Sequence, residues 1–115
     1  MPFKPDDAIL PLTPISFEIL LALVDGGQHG YAILQAVERR LDHRLPLRTG
    51  TLYRALARLV DEGLIVEAAS DPADERRRLY RLTAAGRRAA RAEAERLADQ
   101  VAAARAHKLL PGDRR

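Results

Sequence analysis

The chain has 115 residues, 30% of them charged and 47% drawn from the set AVILMFWYC, with a formal net charge of +3 and no cysteine. That balance fits one folded domain with a small core and excludes a disordered chain; the lack of any apolar run of about 18 residues excludes a membrane-spanning helix, and the missing cysteines exclude disulfides, thiolate metal sites and a cysteine nucleophile. The charge is uneven, with −4 over residues 1–38 and +7 over residues 39–115, and 17 of the 19 basic residues are arginine, a distribution that suits an anionic partner for the later part of the chain.

Residues 1–12, with Pro2, Pro5 and Pro11, read as an irregular arm. Residues 1–14 lack the basic start and apolar stretch of a secretory signal, so a cytoplasmic protein is expected. Thr13 is placed to cap a first helix, with Pro14 at its first position, where a missing N–H costs nothing. Ile15, Ile19, Leu20 and Leu23 supply its apolar face, and Gly26-Gly27 end it.

A second helix fits HGYAILQAVERRLD from His29, with Tyr31, Leu34, Val37 and Leu41 on one face. Leu45-Pro46 breaks it, because the residue before proline avoids helical geometry. A third helix opens at Thr49-Gly50-Thr51, packs Leu52, Leu56, Leu59 and Val60, and closes at Gly63. Its charge order is unusual: Arg54 and Arg58 come early and Asp61 and Glu62 last, against the helix macrodipole, which favours acids first.

The period then becomes extended. LIVEA and RLYRLT flank ASDPADER, whose Asp71-Pro72 marks a turn, and a two-stranded β-ribbon results. Thr83 caps a last helix over residues 84–110, which at about 1.5 Å per residue reaches about 40 Å, and a short tail, 111–115, follows. A domain of about 100 residues has a radius of gyration near 13 Å, so this helix should overhang its own globule. Its stripe of Ala90, Ala94, Leu97, Val101 and Ala104 suits helix-to-helix packing and reads as the interface of a homodimer.

Three helices, a ribbon and a long helix give a mostly α fold: a winged helix-turn-helix over residues 13–83 with a C-terminal dimerisation helix. In such a motif the second helix of the pair enters the major groove of double-stranded DNA by its N-terminal end. That explains the reversed charge order, since small residues let the backbone approach DNA, free N–H groups can face phosphate, and the acids stay at the far end. Taking Leu52 as origin and about 100° per residue, Leu56, Leu59 and Val60 fall near 40°, 340° and 80°, whereas Gly50, Thr51, Arg54 and Arg58 fall near 160°, 260°, 200° and 240°. Arg48, Thr49, Gly50, Thr51, Arg54 and Arg58 are therefore the expected DNA contacts. Tyr53, near 100°, is expected on the flank, its ring packed and its hydroxyl reaching a phosphate. Arg76, Arg77 and Arg78, at the end of the turn, are expected to bring the wing to the backbone or a minor groove, although Asp71, Asp74 and Glu75 precede them.

HGYAILQAVERRL, GTLYRALARLVDEGLI and RRLYRLTAAGRR closely resemble the PadR family of bacterial transcriptional regulators. The resemblance lies in Gly30-Tyr31, in Gly50-Thr51-Leu52-Tyr53 and in Tyr80 to Gly86, and covers roughly residues 13–88. It implies a homodimer that binds an inverted-repeat operator, usually as a repressor, with the C-terminal helix at the dimer interface. In some members a small aromatic or drug-like molecule bound near that interface releases DNA, which implies a small-molecule effector of unknown identity. Two departures stand out: Arg54 occupies a position where the family commonly has proline, and the chain has no tryptophan, which leaves an aromatic stacking pocket at the dimer centre unsupported.

An enzyme is not expected. His29, His43 and His107 lack metal-ligand spacing, Ser16 and Ser70 lack a glycine-flanked elbow, and Gly26-Gly27 lacks the lysine of a phosphate-binding loop. No cofactor or metal is indicated. The rival reading is a winged helix used as a protein-interaction module, and the acid-free stretch from Arg48 to Arg58 argues against it.

Overall fold

The computed structural model describes residues 11–41, 47–68 and 77–112. Its elements run α1 (Pro14–Ala22), β1 (Gln28–His29), α2 (Gly30–Leu41), α3 (Thr49–Asp61), β2 (Ile65–Ala68), β3 (Leu79–Leu82) and α4 (Ala84–Ala106). The fold is mostly helical with a small antiparallel sheet, as the sequence suggests. The arm through residue 10, the Leu45-Pro46 break, the Asp71-Pro72 turn and residues 113–115 lie outside the described residues.

Local chemistry explains most of the boundaries. Thr13 Oγ1 accepts the Ser16 N–H at 3.1 Å, with Pro14 opening α1. Gly63 sits at φ +74°, a conformation that costs glycine little and other residues more. There Leu64 N–H donates to Leu59 O at 3.0 Å and closes α3. Thr83 caps α4 by accepting the Gly86 N–H at 2.9 Å, while its hydroxyl hydrogen faces Gly63 O and Leu64 O at 2.7 and 3.0 Å. A Cβ on Gly86 would lie 1.9 Å from Leu64 O, so glycine is what lets the start of α4 press against the turn that follows α3.

The sheet has three strands, ordered β1-β3-β2, where the sequence suggests two. His29, expected to begin the second helix, is extended and pairs with Leu79, and Gln28 pairs with Tyr80. Gly30 N–H donates to Arg78 O at 3.1 Å, so α2 begins only once the chain has left the sheet edge.

One core joins every layer. Ile19, Leu20 and Leu23 of α1 meet Ile33 and Val37 of α2, Leu52, Leu56 and Leu59 of α3, and Leu64, Ile65, Tyr80, Ala89 and Ala90 from the sheet side and α4. Burying each large aliphatic side chain contributes about 1.5–3 kcal/mol. The face of α2 differs from expectation: Tyr31 is 43% exposed and Ile33 is fully buried. With Gly30, Ile33, Leu34 and Val37 inside, the face centres about 100° from Tyr31, which leaves the ring at its margin.

Helix α4 has 23 residues, or about 35 Å. Gly86, Ala89, Ala90 and Glu93 are buried, and from Ala98 to Ala103 every residue is exposed. The helix stops at Ala106, short of residue 110, because His107 N–H turns back to Ala103 O and Ala104 O and Lys108 adopts φ +56°.

Candidate nucleic-acid interface

Helix α3 divides cleanly into two faces. Leu52, Leu56 and Leu59 are buried and Val60 is half-buried, whereas Arg48, Thr49, Gly50, Arg54 and Arg58 are exposed and Thr51 is half-buried. Arg48 is the N-cap residue, at φ −86° and ψ 144°, and its side chain makes no capping bond. The first intrahelical bond runs from Leu52 N–H to Arg48 O at 3.1 Å. A helix end of this kind leaves its first N–H groups without intrahelical acceptors, and the first turn holds no acid to compete for them.

The two arginines within the helix, Arg54 and Arg58, are held in opposite directions along it. Arg54 donates from NH2 to Thr51 Oγ1 at 3.4 Å, back toward the N-terminus. A Cβ on Gly50 would come within 3.3 Å of Arg54 NH1, so glycine leaves room for that fold-back. Arg58 donates from Nε to Glu62 Oε1 at 2.9 Å, toward the C-terminus.

Tyr53 is placed differently from expectation. It is half-buried, and with Ala57, Val60, Asp61, Glu67, Arg78 and Tyr80 it lines a groove of about 160 Å³ between α3 and the sheet. Its hydroxyl oxygen is buried, which turns it toward the fold and away from a phosphate, because the ring follows the flank of the core face. At the base of the wing Arg77 is exposed, Arg78 is half-buried, and Arg76 lies outside the described residues. Arg78 Nε stands 3.4 Å from Glu67 Oε1 on the adjacent strand.

Of the residues expected at a dimer interface, Ala90 is 7% exposed and belongs to the core of its own chain. It faces inward because α4 packs on α1 over its first half, and it leaves the interface set for that reason. Ala94 is exposed, Leu97 and Ala104 are half-buried, and Val101 is 44% exposed.

The sequence reading missed Glu93, which is 1% exposed. Its Oε1 accepts the Leu12 backbone N–H at 2.7 Å and Arg96 NH2 at 3.2 Å, and its Oε2 accepts Arg96 Nε at 2.6 Å. The Arg96 hydrogen bond holds the Glu93 pKa below its ordinary value against burial, which pushes it up, and the Leu12 N–H adds to the lowering. The available signal was phase: Ala89, Glu93 and Leu97 recur at four-residue spacing, with an arginine three residues after the acid.

The sequence profile of the transcriptional regulator PadR-like family matches residues 19–92. The chain belongs to the PadR-like family. That span takes in the core of α1, all of α2, α3 and the sheet, and the packed half of α4. PadR proteins are DNA-binding transcription regulators and not enzymes, and the exposed basic face of α3 is where this member presents arginine to solvent.

An uncharacterized 37.1 kDa protein in transposon TN4556 of Streptomyces fradiae is 44% identical over 82 residues, 70% of this chain. This chain spans 22% of that protein's length. A PadR family transcription regulator from Clostridium difficile R20291 is similar at 27% identity with a TM-score of 0.60, over 76% of this chain and 92% of that one. The structure of Bacillus subtilis PadR in complex with operator DNA shares the fold at 24% identity with a TM-score of 0.58, over 76% of this chain and 48% of that one. Among the described residues, no helix is long and apolar enough to cross a membrane.

Proposed function

We propose that this PadR-family protein acts in the cytoplasm as a homodimeric repressor that reads an inverted-repeat operator, each copy placing the first turns of α3 in a major groove. The observation that carries this reading is the division of α3, with Leu52, Leu56 and Leu59 buried and Gly50, Arg54 and Arg58 exposed beside an acid-free helix start. Gly50 and the Thr49 and Thr51 hydroxyls admit the backbone to a groove, Arg48 suits a phosphate at the rim, and Arg54 is in position for a guanine edge. Arg77 extends the basic surface at the wing. Tyr53 serves as packing behind α3.

The homodimer is supported by the second half of α4. Leu97, Val101 and Ala104 continue the buried stripe past the point where the chain's own fold covers it. A second copy would cover that stripe and set two α3 helices on one face of the DNA, with half-sites about 34–36 Å apart.

The test is fluorescence anisotropy on a duplex that the full chain enriches from a randomised pool, against a shuffled duplex, at two salt concentrations. The enriched duplex should bind tighter by about 10³-fold or more, with two chains per duplex, and both complexes should weaken as salt rises. Equal binding to the two duplexes would contradict sequence-specific reading, and one chain per operator would contradict the dimer.

A further inference from the structure

Arg58 is 72% exposed, and a DNA-facing arginine of that exposure would be expected to reach freely into solvent. Its Nε instead donates to Glu62 Oε1 at 2.9 Å, and the Glu62 side chain is only 25% exposed. From Leu52, Thr51, Arg58 and Glu62 lie near 260°, 240° and 280°, so the acid continues the line that the threonine and arginine begin. The carboxylate offers the guanidinium the same oxygen acceptor that a phosphate would offer.

We infer that Glu62 sets the DNA affinity of α3 by competing with phosphate for Arg58. This rests on the reading of α3 as the DNA-facing helix. In the free protein the Arg58 Nε is engaged along its own helix, so DNA gains that donor by displacing Glu62, and the neighbouring carboxylate offsets part of the charge that Arg58 presents to a phosphate. An exposed intrahelical ion pair is weak, so displacement is within reach of a close phosphate. Nonspecific affinity is built almost wholly from phosphate contacts, so a carboxylate that offsets one arginine weakens binding to any sequence and lowers its salt dependence. The acid that closes the helix thereby tunes how strongly its basic face binds.

The experiment compares Glu62→Gln, Asp61→Asn, Arg58→Ala and the double variant Arg58→Ala/Glu62→Gln with the unaltered chain, using anisotropy on one mixed-sequence duplex across a salt series, with circular dichroism to check helix content. Asp61→Asn removes the same charge one residue away, about 100° around the helix from Glu62. Glu62→Gln should tighten binding by about two- to fivefold and steepen the log–log salt slope by about one. Both effects should vanish in the Arg58→Ala background, and Asp61→Asn should fall short of them. Tightening that is equal for Glu62→Gln and Asp61→Asn, with or without Arg58, would overturn the inference in favour of simple charge removal. Weaker binding by Glu62→Gln would overturn it in favour of Glu62 as a buttress. If Arg54→Ala and Arg58→Ala both leave binding unchanged, α3 is not the DNA-facing helix and the reading beneath the inference falls with it.

Discussion

Glu93 and Leu12 lie 81 residues apart in sequence, yet the Leu12 backbone N–H donates to Glu93 Oε1 at 2.7 Å. The bond ties the residue just before the α1 cap to the middle of α4, and Arg96 completes the carboxylate's partners. Removing Arg96 would leave a buried carboxylate without its countercharge. Arg96→Ala should therefore destabilise by about 3 kcal/mol, while Glu93→Gln, which keeps an acceptor for Leu12, should lose about 1–3 kcal/mol. Urea denaturation followed by circular dichroism measures both.

The same carboxylate gives stability a pH dependence of known sign. Its folded pKa lies below the ordinary 4.5, so the folded state binds the proton less readily than the unfolded one. Its contribution is fully present above about 4.5 and is lost as pH falls through the depressed folded value. The melting temperature of the unaltered chain should drop in that acid window. Glu93→Gln should show a shallower drop there, and a parallel profile would mean that Glu93 is not the titrating group.

Gly86 is the second place where a single atom decides stability. A Cβ there would fall 1.9 Å from the backbone oxygen of Leu64 and 2.8 Å from Leu82 Cδ1. Backbone cannot yield as a flexible side chain can, so Gly86→Ala should cost at least about 2 kcal/mol despite the better helix propensity of alanine. A denaturation midpoint unchanged from the parent would contradict this packing.

On the α3 face the expected effects are on binding and not on folding. Arg54→Ala should weaken operator binding by about 1–3 kcal/mol and relax preference at one position of the site. Stability should stay within about 0.5 kcal/mol, because the side chain is exposed. Competition anisotropy with operator variants, paired with a melt, separates the two.

For the dimer, Leu97→Asp with Val101→Asp places two charges on the stripe that the chain's own fold leaves half-covered or open. The expected product is a folded monomer, seen by light scattering as half the mass with most helicity retained. A mass that does not change would move the interface elsewhere.

What could be read from the sequence was what is decided locally. Thr13 before Pro14, Thr83 before α4 and Gly63 after α3 each act within three or four residues, and each stands where the chain order places it. The division of α3 was legible for the same reason, since one helix's period suffices to separate Leu52 from Arg54. Strand β1 was not, because two residues carry no period and His29 is extended only through Leu79, 50 positions away. Tyr31 misled because its spacing to Leu34 and Leu41 fits one helical face, whereas the buried face is centred on Gly30, Ile33, Leu34 and Val37. Glu93 was passed over for a different reason: its phase with Ala89 and Leu97 was legible, but a carboxylate on an Ala/Arg helix reads as solvated surface, and one of its partners is a backbone N–H at the far end of the chain. The Tyr53 hydroxyl was not legible because it faces the groove toward the sheet, which helix phase alone does not include.

Between Arg87 and Leu110 the chain contains neither glycine nor proline, and α4 runs unbroken from the wing's exit to beyond the globule. Such a helix is a shaft without a joint. In an assembly held together at its outer end, the orientation of each α3 would be geared to the turn count of α4. One residue inserted after Arg96 would rotate everything beyond it by about 100° and advance it by about 1.5 Å, while leaving every contact of the winged helix intact. Operator spacing would then be written in the length of a helix that touches no base.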